Sequence, residues 1–317
     1  MKPFLSFIVP AFNSGAYLRE AVESIRSQVA GITTAEIIVV DDCSTDTATL
    51  RVLETLAGEP ATRCLRQPRN SGPAATRNTG LFAASGEWIC FLDSDDTLAP
   101  GAIEARLAVV AAVPEARWIM GDLLRVNRPG QFDNGDFPAF VDSGEPVFPG
   151  VVLHERAAPV LLRSARVPQV GTAMIRRGLI GGAGGFDQTL RYSEDWLLWL
   201  TLSMTTPLYW MTRPTVHLRR YNDSMTKNLL AGATAAPLAP RMALRNPLFS
   251  TLRKPLRWGL SQEWRRYSEV HRAYGLRLAA VHGALQSVRW TPNDLRSYRA
   301  LAAALTGAYG ASSAHRA

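Results

Sequence analysis

Apolar and polar positions alternate along the first hundred residues in a regular way. Phe4–Pro10 (FLSFIVP), Glu36–Val40 (EIIVV) and Glu87–Leu92 (EWICFL) are near-continuous apolar runs of strand length. Runs of this kind, rich in β-branched and aromatic residues, mark strands buried on both faces. Gly15–Val29, Asp46–Leu56 and Pro73–Ala84 between them read as helices, and a further strand is placed at Cys64. Strands alternating with helices of this length imply right-handed βαβ units and an α/β fold with a mainly parallel sheet flanked by helices. Such sheets bind ligands beyond the carboxyl ends of their strands. That rule singles out the loops Pro10–Gly15, Asp41–Asp46 and Asp93–Pro100.

Further along, Gly101–Val113 reads as a helix, Trp118–Met120 as a strand, Thr172–Ile175 as a strand, Ser193–Ser203 as a helix and Leu208–Leu218 as a last strand. Arg125–Gly150, rich in Pro, Gly, Asp and Asn, is predicted to be a mobile loop. Gly181–Gly185 is read as a flexible turn, and Ala231–Pro240 (AGATAAPLAP) as a linker by composition. The remainder has a helical pattern and is rich in arginine, with Trp258, Trp264 and Trp290 interspersed, and Ala311–Ala317 is expected to be disordered.

Composition narrows the class. The 317 residues are 47% hydrophobic and 20% charged, ordinary for a folded chain with one large domain and an appendage. No run approaches the roughly 18 apolar residues of a membrane span, and no cleavage site follows Met1-Lys2-Pro3, so a secretory signal is not expected. Three cysteines (Cys43, Cys64, Cys90) support neither a disulfide framework nor a zinc site, which predicts a reduced, cytoplasmic protein. Charge is uneven: Pro240–Ala317 holds thirteen Lys/Arg against three Asp/Glu, a balance of +10, and the total of +8 leaves the rest at −2. Two parts with different partners are implied.

Three strand ends finish in polar residues: Pro10-Ala11-Phe12-Asn13, Asp41-Asp42-Cys43-Ser44-Thr45-Asp46 and Asp93-Ser94-Asp95-Asp96. Each taken alone has a plain explanation, because Asp, Asn and Ser cap helices and open turns. The joint pattern carries more. An apolar strand ends in three carboxylates within four residues, and like charges this close raise one another's pKa unless a cation compensates. Mg²⁺ or Mn²⁺, held by one or two carboxylates and phosphate oxygens, is the natural compensator. No P-loop and no glycine-rich turn after the first strand is present, which argues against P-loop and dinucleotide folds.

These blocks resemble a known family. IVPAFN (Ile8–Asn13), EIIVVDDCSTD (Glu36–Asp46) and NSGPAATRNTGLFAASGEWICFLDSDD (Asn70–Asp96) are similar to the donor half of family 2 glycosyltransferases, which have the GT-A fold. GGFDQTLRYSEDWLLWLTL (Gly184–Leu202) resembles the acceptor-side motif of that family. The resemblance implies a domain over 1–230, with a donor-nucleotide half (1–122) and an acceptor half (123–230), ahead of a linker (231–240) and a helical, basic C-terminal region (241–317). It implies inverting transfer of a sugar from a nucleotide-sugar, usually UDP-linked, to a glycan or lipid-linked acceptor in surface polysaccharide or glycolipid synthesis. Residue by residue, it places Asp42 on the nucleobase, and Pro10, Phe12 and Asn13 around the nucleoside. Arg77 and Ser94 join the donor site, Asp93 faces the ribose or sugar, and Asp95 binds Mg²⁺ or Mn²⁺. Asp195 becomes the general base, with Glu194 and Trp196 beside it on the acceptor side.

Some alternatives stay open. Ser193-Glu194-Asp195 could simply cap its helix, and Asp96 fits a cap or supporting role as well as a ligand role. Relatives often carry a histidine where this chain has Tyr221, so a third protein ligand from there is in doubt. Arg219 or Arg220 could meet the diphosphate instead, and His217 reads as an ordinary strand residue. Arg241–Tyr267 interleaves Arg and Lys with Leu, Phe and Trp. It reads either as a peripheral membrane element or as an amphipathic cap whose continuity Pro247 and Pro255 interrupt. No nucleic-acid module is recognisable. The rival functions are a non-catalytic nucleotide-sugar-binding protein of the same fold and a nicotinamide dehydrogenase.

Overall fold

The computed structural model describes residues 3–128, 131–134, 138–163, 168–219 and 228–306. Eleven strands among them form one sheet: β1 (Leu5–Ala11), β2 (Ala35–Asp41), β3 (Thr62–Arg66), β4 (Trp88–Phe91), β5 (Thr97–Leu98), β6 (Trp118–Arg128), β7 (Gln131–Asn134), β8 (Glu145–Phe148), β9 (Val151–His154), β10 (Met174–Arg176) and β11 (Leu208–Arg219). Helices α1 (Tyr17–Val29), α2 (Thr47–Ala57), α3 (Pro73–Ala83) and α4 (Ala102–Ala112) follow the early strands. Short helices α5 (Pro138–Asp142), α6 (Ala158–Arg163) and α7 (Arg177–Gly182) precede α8 (Glu194–Leu202).

The spatial order is β3-β2-β1-β4-β10-β6-β11-β9-β8. From β3 to β4 every pairing is parallel, as the unbroken apolar runs require: Phe7, Ile8, Val39, Val40, Ile89 and Phe91 are fully buried. β10 then enters antiparallel between β4 and β6, β6 and β11 pair parallel, and β9 and β8 follow antiparallel, so the sheet as a whole is mixed. Register sets the site. Leu5 pairs with both Ala35 and Trp88, which brings the carboxyl ends of β1, β2 and β4 level at one edge.

α3 lies close on this sheet because Gly80 has no side chain. A Cβ there would stand 2.4 Å from Ile8 Cγ2 and 3.3 Å from Val40 Cγ2. Gly80→Ala is therefore expected to lower the melting temperature by a few degrees. Overpacking against a fully buried Ile8 costs about 1–3 kcal/mol, more than the roughly 1 kcal/mol gained in helix propensity. A thermal melt at or above the wild-type value would show that α3 can lift freely.

Three expectations need correction. Residues 125–150 are not a structureless loop: β6 runs on to Arg128, and β7, α5 and β8 follow among the described residues. Gly181–Gly185 is not merely a flexible turn. Gly181 and Gly182 end α7, Gly184 and Gly185 take positive φ, and a Cβ on Gly185 would meet Asn78 Oδ1 at 2.5 Å. Ala231–Pro240 is not an extended linker, since helices α9 (Leu229–Ala235) and α10 (Leu238–Arg245) occupy it.

The chain divides into two compact units at a different place, Met1–Tyr221 and Asn222–Ala317. The second unit is helical, with α11 (Arg253–Ala273), α12 (Arg277–Trp290) and α13 (Leu295–Thr306) after α9 and α10. Pro255 does not interrupt α11: it sits in the first turn, where an N–H would lack a partner in the helix anyway. The three cysteines are free thiols.

Candidate active site

The loops at the carboxyl edge are tied to one another by side chains that the sequence marked. Asn13, at a left-handed φ of 50°, accepts from the backbone N–H of Thr45 (2.9 Å) and Asp46 (3.3 Å), while its own N–H donates to Ser44 Oγ (2.9 Å). Ser14 and Ser94 share a hydroxyl hydrogen bond of 2.6 Å. The buried Asp42 accepts from the N–H groups of Ser71 (2.7 Å) and Gly72 (2.9 Å), fixing the turn into α3. Pro10 is half-buried and the Phe12 ring is exposed at the mouth of this edge. Side-chain hydrogen bonds thus join the β1, β2 and β4 loops into one rim, the place the family pattern implies for a nucleoside.

Arg77 is the centre of the charge pattern. Buried in α3, it donates through Nη2 to Asp93 Oδ1 (2.8 Å) and through Nη1 to Glu194 Oε1 (2.6 Å), with its guanidinium 5.6 Å from the centre of the Phe186 ring. Burial opposes its charge, but Asp93 and Glu194 raise its pKa above the ordinary guanidinium value. Two of its N–H groups thus hold a carboxylate from each side of the site. The sequence did not foretell this bridge, which spans 117 residues to Glu194. The neighbouring Asn78 completes it: its side-chain amide exchanges hydrogen bonds with the backbone of Phe186 (2.8 and 2.9 Å), docking the 184–186 turn on α3.

α8 presents the second carboxylate pair. Ser193 takes a left-handed φ of 62° and makes no side-chain cap, so the simple capping explanation fails for it. The turn instead sends Glu194 inward to Arg77, and leaves Asp195 half-buried, accepting from the N–H of Trp196 (2.7 Å). Burial and then the charge of Glu194 push the Asp195 carboxyl up to about 7, against the pull of Arg77. Trp196 is half-buried beside it. The helix behind is anchored by Trp199, fully buried, whose Nε1–H donates to the Pro168 carbonyl (3.0 Å) and whose ring stacks on Trp118.

At the end of β4, burial and the charge of Asp93 push Asp95 up to about 6. The buried Asp96 carboxylate accepts from the Arg219 N–H (2.9 Å), joining this loop to the end of β11. The Arg219 guanidinium ion-pairs with Glu20 and lies 5.1 Å from the Tyr17 ring centre, and its charge still reaches the carboxylate cluster, where it opposes the rise of the Asp95 and Asp96 pKa values. His217 pairs in β11 opposite Thr97, an ordinary strand position. Arg220 and Tyr221 lie outside the described residues.

Crowded carboxylates with too little nearby positive charge are what a hard divalent cation requires. Among the described residues no group of three or more His, Cys, Asp or Glu is arranged to hold a metal ion. A cation held at Asp95 would draw most of its ligands from phosphate and water, as Mg²⁺ does. A separate cleft of about 650 Å³ opens at the opposite ends of the strands, lined by Phe4, Glu87, Arg117, Arg176 and Arg177. Two of its arginines are committed: Arg176 pairs with Glu87 and lies over Trp88, and Arg177 donates to the Gly86 carbonyl.

With four loops converging on this edge, the comparison with known proteins becomes specific. Residues 6–116 match the model described as Glycosyl transferase family 2. That segment carries all three donor-side loops. By that match this region is similar to glycosyl transferase family 2. The chain is 32% identical over 209 residues to the succinoglycan biosynthesis protein ExoO of Rhizobium meliloti, covering 62% of this chain and 54% of that protein. It is 30% identical over 243 residues to the pre-mycofactocin glycosyltransferase of Mycobacterium tuberculosis, covering 75% and 48%. The chain thus spans about half the length of these relatives. In fold it is similar to Staphylococcus aureus TarS 1-349 in complex with UDP-GlcNAc, with a TM-score of 0.66 at 19% identity over 97% of this chain and 88% of that one. The mannosyltransferase PcManGT from Pyrobaculum calidifontis, in complex with GDP-Man and Mn²⁺, follows at a TM-score of 0.57 and 19% identity, covering 97% and 86%. The fold is GT-A, a central sheet flanked by helices.

Proposed function

We propose that this family 2 glycosyltransferase moves a sugar from a UDP-sugar to an acceptor hydroxyl with inversion, in the synthesis of a surface polysaccharide or glycolipid. One observation carries the reading: a single buried guanidinium, Arg77, holds Asp93 of the donor edge and Glu194 of the acceptor edge, which puts Asp195 within the same charged cluster. The named relatives act in polysaccharide synthesis or as glycosyltransferases, and one structural neighbour binds UDP-GlcNAc, which supports the substrate class.

Asp195 takes the proton of the acceptor hydroxyl as its oxygen attacks the anomeric carbon from the face opposite the leaving group. The bond from that carbon to the diphosphate oxygen breaks, and its electron pair leaves with the nucleoside diphosphate. Asp95 would hold Mg²⁺ or Mn²⁺, which would supply Lewis-acid stabilisation of the departing charge. Asp93 faces the ribose or sugar, held in one orientation by Arg77. Ser94 and Asn13 keep the rim closed, and Asp42, Pro10 and Phe12 border the base. Trp196 and Glu194 shape the acceptor side.

A panel of UDP-, GDP- and dTDP-sugars with Mn²⁺ or Mg²⁺, with EDTA as control, tests the reading. Metal-dependent thermal stabilisation and nucleotide release with a UDP-sugar are expected. Asp95→Asn is expected to weaken metal-dependent donor binding about 10- to 100-fold or more. Undiminished metal affinity in that variant would remove Asp95 from the ligand set. Donor binding without any turnover, across acceptors, would favour the non-catalytic alternative.

A further inference from the structure

The helical C-terminal unit carries a surface that sugar transfer does not use. α11 buries Leu256, Leu260 and Trp264 on one face and exposes Arg253, Arg257 and Arg266 on the other, so the apolar residues of 241–267 are largely spent inside the unit. Leu248 and Trp258 are exposed there, at 41% and 39%, and the most exposed apolar side chains lie further on. In α12, Ala280, Gly283, Ala284 and Ser287 are buried, while Leu278 (89% exposed) and Leu285 (52%) lie seven residues apart on the opposite face. In α13, Ser297 and Ala304 are buried, while Leu295 (72%), Tyr298 and Leu305 form an outward stripe at i, i+3 and i+10. Arg277 at the start of α12 bonds to the Leu305 carbonyl, so the two helices lie antiparallel with Leu278 beside the end of the second stripe.

The charge beside these stripes is almost all of one sign. α12 and α13 contain four arginines and no acidic residue. Between α11 and α13 opens a cleft of about 320 Å³ lined by Arg265, Arg272, Arg296 and Arg299, with Glu269 as its one acidic wall residue. Arg265 and Arg296 share the carboxylate of Asp294 at the mouth of α13. Helical spacing puts Arg299 at the border between the cleft and the Leu295–Tyr298 stripe. Exposed leucines and a tyrosine rimmed by arginine, on a helix pair with no described helix long and apolar enough to cross a membrane, fit a surface that lies on a bilayer.

We propose that the α12–α13 pair seats the chain on an anionic lipid bilayer, with the leucine and tyrosine stripes entering the headgroup boundary and the arginine cleft taking lipid phosphates. Isolated arginines would attract any polyanion; the adjoining apolar stripes select a lipid source for the phosphate. This assignment concerns the second unit alone and does not depend on the sugar-transfer reading.

The test is co-sedimentation of the full chain with phosphatidylcholine vesicles and with vesicles that also contain phosphatidylglycerol. Binding is expected to the anionic vesicles and to fall with added salt. Arg299→Glu changes two charges at the surface and is expected to weaken it more than tenfold, at about fivefold per charge. Leu278→Ser with Leu295→Ser is expected to weaken it tenfold or more. Both changes fall on exposed side chains, and melting temperature is read alongside to confirm folding. Inorganic phosphate as competitor separates the sources: displacement by phosphate at matched ionic strength, together with wild-type binding of the leucine variant, would mean a simple phosphate site and overturn the proposal. Absence of vesicle binding would overturn it too, as would a dimer in light scattering that the leucine changes dissociate.

Discussion

Asp195→Asn is expected to abolish transfer while leaving the donor bound. The amide keeps the shape of the carboxylate and can still accept from the Trp196 N–H, but it cannot take a proton from an acceptor hydroxyl. Loss of a positioned general base lowers turnover by about 10²- to 10⁴-fold, while donor affinity, which rests on the rim of β1, β2 and β4, stays within a few-fold. The pH profile adds a second reading. Burial and Glu194 hold the Asp195 carboxyl at about 7, so the base is charged only above that pH. In the wild type kcat/KM is expected to climb about tenfold per pH unit below 7 and to level off above it, the sign required of a base whose pKa is raised. Full activity in Asp195→Asn, or a flat profile from pH 5 to 8, would assign the proton to another group.

Arg77→Ala is expected to produce the largest loss of stability in the first unit. Removing the guanidinium leaves Asp93 and Glu194 without their shared counter-charge in a mostly buried setting. Breaking a buried pair in this way costs about 3–5 kcal/mol, a fall in melting temperature of about 6 to 20 °C for a unit of this size. Arg77→Lys offers one point charge where two separated carboxylates need a fork, and is expected to recover only part of the loss. A wild-type melt for Arg77→Ala at pH 7 would show that the bridge is not holding the two halves of the site.

Much of this protein is legible in its sequence, for reasons that are local. The apolar runs at Phe4–Pro10, Glu36–Val40 and Glu87–Leu92 had to be buried on both faces, and a strand so buried needs helices to cover it; β1, β2, β4 and α1 to α3 follow within a residue or two. The carboxylates at 93–96 stand out in the sequence because three charges in four residues after a buried strand repel one another. Where composition was the guide, it misled. Residues 125–150 look like a loop because Pro, Gly and Asp are poor strand formers, yet pairing of β6 with β11 and of β8 with β9 outweighs that weak preference. Ala231–Pro240 looks like a linker, but alanine is also the best helix former, and its prolines lie where α9 ends and within the first turn of α10.

The roles of charged residues belong to the tertiary structure. Arg77 reads in sequence as a cation free for a nucleotide; only the fold brings Asp93, 16 residues away, and Glu194, 117 residues away, to its two nitrogens. Ser193-Glu194-Asp195 reads as a cap, and a left-handed Ser193 turns it into one buried anchor and one carboxyl poised near neutral pH. Sequence fixes what each side chain can do, because that is covalent chemistry, and which segments must be buried, because that is periodicity. Which charges meet is decided by register and packing, since a contact between distant residues leaves no trace in the residues that separate them.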